Sequence, residues 1–334
     1  MKSCIALMAF VVLLPAAAFA SIDGTVVNRT TGKPQANVTV TLVKPGQGGM
    51  KTLGTAVSDA SGKFLFEKDQ PGGGPQLLQA NYAGVNYNKL MTPNIPTANV
   101  ELDVYEATKS AAVARVSQRM LIFEPNASQL AVSETVVMEN PSDHTYNNDE
   151  LGGLRFFLPP AANGQVRISA QGPGGMPLPR PAEKTREDDV YKVQFPIKPG
   201  STEFQISYVL PVGSPFQFRG RVVGVPGMPA GPLRLVAPPG VTLSSNDIQA
   251  VGTEPKTQAN IYNVTAPNLF SVDVAGTGSF RQDDSGGQDN DSPPVTQSTP
   301  PIYRHLPLLV ALAFSVLTVG LIFLFQSSPD AKRS

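Results

Sequence analysis

Two histidines, one cysteine and two short acidic runs are the groups from which this chain of 334 residues could build reactive or metal-binding chemistry. A zinc hydrolase site needs a H-x-x-E pair and a further histidine, whereas the residue three beyond His144 is Asn147, and the other histidine, His305, lies far along the chain. No G-x-S-x-G elbow, H-E-x-x-H motif or phosphate-cradling P-loop occurs, and a Ser/His/Asp triad would have to draw on His144 in a polar loop. Asp283, Asp284, Asp289 and Asp291 carry oxygen ligands, but their spacing departs from the D-x-D-x-D-G calcium loop. Glu183 to Asp189 mixes acids with Lys184 and Arg186, the pattern of an exposed hairpin loop kept in water by its charges. The expectation is therefore a chain with no catalytic residue, no metal site and no cofactor.

Composition narrows the partners. Lys and Arg number 26 and Asp and Glu 26, for a formal net charge of zero, and no basic cluster offers a face for phosphates, so nucleic acid is not expected. Cys4 precedes the first apolar run, which leaves the rest of the chain without thiols for disulfides, thiolate metal sites or haem attachment. Stability has to come from apolar cores. Sequons at Asn28, Asn37, Asn126 and Asn263 are uninformative in a chain rich in Ser and Thr.

The elements that would position any site are strands. The hydrophobic period is two, and Gly and Pro, 30 and 32 residues respectively, punctuate it at intervals typical of an all-β sandwich. Val38, Val40 and Leu42 alternate with Thr39 and Thr41, and the same beat recurs in Phe64/Phe66, Leu102/Val104, Val132/Val136/Met138, Tyr191/Val193/Phe195, Phe204/Ile206/Tyr208 and Val272/Val274. One Ala-rich stretch, 106–119, suits either a helix or a linker strand. The predicted fold class is all-β, tandem β-sandwich domains followed by one C-terminal transmembrane helix. A first sandwich is expected over 22–106 and a β-rich ectodomain over 112–278. Residues 214–278 of the latter read either as a third small sandwich, after one spanning 112–213, or as the completion of the second. A Pro/Ser/Asp stalk follows at 279–305, with too few apolar residues to offset the entropy of folding.

Two apolar runs bracket these elements. Lys2, the run Ile5 to Leu14 and the small residues Ala18 and Ala20 form the three parts of a secretory signal, predicted to occupy residues 1–20. Leu306 to Phe325 is about 20 uncharged residues, enough to cross a hydrocarbon core as a helix. Pro307 sits in the first turn, where its missing N–H costs nothing. Lys332 and Arg333 then mark a cytoplasmic tail at 326–334, although Arg304 on the other flank weakens the charge asymmetry. His305 belongs with Tyr303 and Arg304 among interfacial residues. The chain reads as a single-pass protein of a bacterial inner, cytoplasmic membrane, with its ectodomain in the periplasm or outside the cell.

Within the first domain, Gly24-Thr-Val26-Val-Asn28, Gly32-Lys-Pro34-Gln-Ala36-Asn-Val38-Thr-Val40 and Ser58-Asp59-Ala-Ser-Gly62-Lys-Phe64-Leu-Phe66 carry a recognisable spacing. These segments resemble the carboxypeptidase regulatory-like domain, a transthyretin-like β-sandwich, over about a quarter of the chain. Asp59 to Gly62 forms an Asx-type turn in which Asp59 bonds backbone amides and Gly62 takes positive φ. Tyr82-Ala-Gly84-Val85 fits a later strand and turn of that family, whereas Pro71-Gly-Gly-Gly-Pro75 departs from it as a longer loop. The resemblance implies a seven-stranded sandwich used for folding, docking or ligand presentation, and no peptidase activity. Binding is expected in loops at the sandwich ends: Asp59, Ser61, Gly62 and Lys63 in one, Gly73 in the next, and 172–181 in the second domain. The expected function is non-enzymatic docking of a cell-envelope protein partner by a membrane-anchored module. A glycan- or peptide-binding accessory module of a cell-wall process is the alternative, against which the absence of Trp counts.

Overall fold

The computed structural model describes residues 21–46, 49–66, 75–92, 95–213, 216–266 and 268–280. The signal-like segment, Gly73, the stalk from Arg281 onward, the 306–325 run and the tail lie outside the described residues. Among those described, no helix is long and apolar enough to cross a membrane. Regular structure is otherwise all strand, apart from two 3-10 turns at Ala111–Val113 and Pro160–Ala162.

Eight strands build the first sandwich: β1 (Ile22–Asn28), β2 (Lys33–Pro34), β3 (Thr39–Gly46), β4 (Gly49–Val57), β5 (Lys63–Phe66), β6 (Gln76–Tyr82), β7 (Val85–Met91) and β8 (Val100–Val104). β1 pairs antiparallel with β2 and β5 and parallel with β8, while the second sheet runs β4-β3-β6-β7. Alternation dictates the inner faces. Val26, Val40, Leu42, Leu78, Ala80 and Val104 are fully buried between the sheets, each apolar side chain contributing about 1–3 kcal/mol. Gly24 is required on the inner face of β1, because a Cβ there would lie 2.1 Å from the Val100 carbonyl and 2.6 Å from the Phe64 ring. The β6–β7 hairpin turns on Ala83 and Gly84, both at positive φ as a two-residue hairpin loop of matching twist demands.

Of the two readings of 106–119, the structure has the linker strand and not the helix. The stretch holds β9 (Ala107–Thr108), the first 3-10 turn and the start of β10 (Arg115–Pro125). β9 pairs in parallel with β12 (Thr145–Tyr146), and the Thr145 N–H donates to the Glu106 carbonyl at 2.8 Å. The buried Tyr87 hydroxyl donates to the Tyr105 carbonyl at 3.0 Å and shares a 2.9 Å hydrogen bond with Thr145 Oγ1. The two β regions are thereby joined by main-chain and buried side-chain bonds.

Beyond the joint, β10 and β11 (Gln129–Asn140) form a long hairpin, followed by β13 (Leu154–Phe157), β14 (Arg167–Gln171), β15 (Leu178–Pro179), β16 (Glu183–Lys184), β17 (Val190–Val193) and β18 (Gly200–Pro211). β19 (Phe216–Gly220), β20 (Leu233–Ala237), β21 (Val241–Ser244), β22 (Ile248–Thr253), β23 (Asn260–Val264) and β24 (Phe270–Gly276) complete the set. One sheet has eight strands in the order β15-β14-β18-β11-β10-β20-β23-β22, so β20, β22 and β23 extend the sheet begun by the β10–β11 hairpin. Two three-stranded sheets, β13-β17-β16 and β19-β24-β21, contribute to the same core. Phe123 of β10 meets Phe218 of β19 edge-on at 4.9 Å, and Phe195 meets Phe204 of β18 at 5.7 Å. After β24 the Gly278 N–H donates to the Pro125 carbonyl, and the Phe280 N–H to Glu124 Oε1 at 2.7 Å. The chain thus leaves beside the last residues of β10, a strand whose first residues lie at the joint. Its 11 residues span roughly 35 Å.

Candidate functional site

The turn between β4 and β5 is built on one carboxylate. Asp59 Oδ1 accepts from the Ser61 N–H, the Ser61 hydroxyl and the Lys63 N–H, each at 2.8 Å. These bonds, the Ser61 hydroxyl's first, hold the Asp59 carboxyl below its ordinary range even though it is fully exposed. Gly62 closes the turn at φ +75°, and a Cβ there would fall 2.8 Å from the Val26 carbonyl and 2.9 Å from Pro34 Cβ. Behind the turn, the buried Ser58 hydroxyl accepts from the Val38 N–H at 2.9 Å and donates to the Gln35 carbonyl at 2.8 Å. The turn is held by this set of bonds, with the Asp59 N–H donating to the Lys63 carbonyl and the Gly62 N–H to the Asp59 carbonyl.

A cleft of about 540 Å³ opens beside it, where β4 passes from one sheet to β5 in the other. Asp59 and Lys63 stand on its rim, with Asp23 and Thr25 from β1, Thr55 and Val57 from β4, Leu65 from β5, and Asn99. Asp23 Oδ2 accepts from the Asn99 N–H at 3.0 Å, which ties the loop before β8 to β1. Val57 and Leu65 are 59% and 51% exposed, so apolar side chains face solvent beside the charged pair. β4 is hydrogen-bonded only to β3 and β5 only to β1, leaving one edge of each unpaired among the described residues. Volume and mixed lining suit an extended chain or a small polar ligand.

The sequence matches no protein-family model and no curated protein.

Of the residues singled out from the sequence, the structure brings Asp59 and Lys63 to the cleft, while Ser61 and Gly62 hold the turn's shape. Gly73 lies outside the described residues. The 172–181 loop belongs to the other β region, where it becomes the β14–β15 hairpin, pinned by Gln171 Nε2 donating to the Gly175 carbonyl at 3.0 Å. His144 is a loop residue whose Nδ1 lies 2.6 Å from Asp143 Oδ1, and it does not line the cleft. Within the 183–189 segment, β16 pairs with β17, and Glu187 reaches Arg155 Nη2 at 2.5 Å. No group of three or more His, Cys, Asp or Glu side chains placed to hold a metal occurs among the described residues.

A second polar constellation escapes sequence reading. Arg119 on β10 and Glu134 on β11 point into the core, with side chains 4% and 7% exposed and Arg119 Nε 3.3 Å from Glu134 Oε1. Burial pushes the Glu134 carboxyl up, against the opposing pull of the Arg119 charge. Its signal in the sequence is phase alone: Glu134 falls on the inward beat of Val132, Val136 and Met138.

Proposed function

We propose that this chain is a non-enzymatic, single-pass envelope protein whose first sandwich docks another envelope component outside the membrane. The observation that carries this reading is the open cleft, with Val57 and Leu65 exposed beside Asp59 and Lys63, on a sandwich fixed at the opposite end of β10 from the chain's exit at Phe280. The resemblance of the Gly24, Gly32 and Asp59 segments to carboxypeptidase regulatory-like domains, which act as docking or presenting modules, supports the same reading. So does the lack of any catalytic motif.

A second reading, a glycan- or peptide-binding accessory module, draws on the polar lining supplied by Asp23, Thr25, Thr55 and Asn99. Sugar rings commonly stack on aromatic faces, and the one aromatic ring at the cleft, Phe64, is 3% exposed. Docking of a protein is accordingly preferred.

Crosslinking of the full-length protein in its native membrane, followed by affinity purification and mass spectrometry, tests the choice. One reproducible envelope protein, recovered with the wild type and lost with Leu65→Asp, is the expected result. Recovery of no protein, together with retention of the full-length chain on cell-wall glycan, would overturn docking in favour of the second reading.

A further inference from the structure

The hairpin that joins β4 to β5 opens after its first rung. Asp59 and Lys63 close that rung: the Asp59 N–H donates to the Lys63 carbonyl at 2.8 Å, and the Lys63 N–H donates back to Asp59 Oδ1. The next rung would join Val57 to Leu65, but β4 has turned into one sheet and β5 into the other, and the two strands do not pair. Successive residues of a strand direct their main-chain groups to opposite edges. On β4, the Ser58 N–H donates to the Val38 carbonyl and the Ser58 carbonyl accepts from the Asn37 N–H, so Ser58 faces β3 while Val57 and Thr55 face away from it. On β5, the Gly62 carbonyl accepts from the Val26 N–H, so Gly62 and Phe64 face β1 and Leu65 faces away. The N–H and C=O groups of Thr55, Val57 and Leu65 are thereby aimed into the cleft, and none has a partner among the described residues. Two other sheet edges are closed to strand addition. On β15, Arg180 donates its N–H inward to the Ile168 carbonyl, which leaves Pro177, Pro179 and Pro181 at the alternate, outward positions with no N–H to offer. β22 is bent by a bulge at Val251, with Gly252 at φ +147°. The bulge of β4, at Leu53, ends before Thr55, and Thr55-Ala56-Val57 holds neither proline nor charge.

We infer that the docked component enters this cleft as an extended, basic segment and adds a strand to the free edge of β4. The inference rests on the docking reading above and names its mode. In strand addition the main-chain bonds supply affinity, and side chains at alternate positions supply specificity. Thr55 and Val57 offer two donors and two acceptors to the incoming strand, and the exposed Val57 and Leu65 side chains receive its apolar residues. The rim sets its charge. Asp23 and Asp59 stand there against Lys63 alone, and among the described residues Asp23 Oδ1 and Asp59 Oδ2 accept no hydrogen bond, so a Lys or Arg on the segment meets a free carboxylate oxygen. A cleft of about 540 Å³ between β4 and β5 admits one bare strand, whereas the sheet edge of a second folded copy would bring its neighbouring strands with it.

The test uses the full-length protein in its native membrane, with a photoreactive side chain placed in turn at Thr55 and at Val57 and the crosslinked residues mapped by mass spectrometry. Both positions are expected to mark one stretch of the docked protein that contains Lys or Arg, and the marked site is expected to move by about two residues between them, as the step along a strand requires. Thr55→Pro removes one outward N–H and leaves the ladder with β3 intact, as proline on a free edge allows. It is expected to lower recovery of that protein about tenfold while the urea midpoint stays that of the wild type. Should Thr55→Pro fail to fold, the crosslink map decides alone. Marks scattered over a folded surface, or full recovery with Thr55→Pro, overturn strand addition, and docking survives if Leu65→Asp still abolishes recovery. Marks on β4 of a second copy overturn it in favour of self-pairing. Recovery of no protein at all removes the docking reading and this inference with it.

Discussion

At Gly62 three requirements meet on one residue: a backbone at φ +75°, a carbonyl 2.8 Å from where a Cβ would stand, and Pro34 2.9 Å away on the other side. Either the left-handed backbone or the overpacking alone costs about 1–3 kcal/mol for a side chain. Gly62→Ala is expected to destabilise by about 3 kcal/mol or more, read as a lower midpoint in urea unfolding with an unchanged slope. The turn was legible from Asp59 and Gly62 because its hydrogen bonds close within five residues, and local spacing suffices for that. The cleft beside it was not, since Asp23, Thr55 and Asn99 reach it from three separate parts of the chain.

Strand character was equally legible, because inward and outward beats are a property of the pleated backbone. The pairing of those strands was not. In the register of β10 with β11, Leu121 lies opposite Glu134 and Arg119 opposite Val136, so the ion pair forms diagonally on one inner face. Sequence phase can show that Glu134 points inward, but only the register supplies Arg119. Removing one member leaves a buried charge without a partner. Glu134→Leu is expected to cost about 3–5 kcal/mol. Adding Arg119→Met to it is expected to restore most of that loss, because a buried pair replaced by apolar groups of similar size is close to neutral. A urea-unfolding double-mutant cycle checks this, and additive losses would contradict the pairing.

For the molecule as a whole, the joint between the two β regions decides how force and position pass from one to the other. Lys198 is part of that joint: its ammonium donates to the Asn86 carbonyl and lies 5.2 Å over the Tyr87 ring. Burial, and secondarily the Arg180 charge, lower its pKa from 10.5 to about 8. The folded chain therefore binds fewer protons at Lys198 than the unfolded chain between those two values, and stability rises with pH across the window. Below about 8 the full cost of burying the charge is present. Relative to Lys198→Met, the wild type is expected to gain about 3 kcal/mol as pH rises from about 8 to 10.5. Urea unfolding of both proteins across that range checks it, and a difference independent of pH would mean that Lys198 is solvated.

By itself, the sequence determined the all-β class, the inner faces of the strands, the Asx-type turn at Asp59 and the absence of thiol chemistry beyond Cys4. Each of these rests on backbone period, local hydrogen bonding or residue count, none of which needs distant neighbours. Only the tertiary structure decided that β20, β22 and β23 extend the sheet of β10 and β11. It likewise decided that β9 and β12 lock the two regions together, and that Arg119 and Glu134 pair on one inner face. Those outcomes depend on which strands pair and which faces bury one another, and pairing between segments leaves no local period to read.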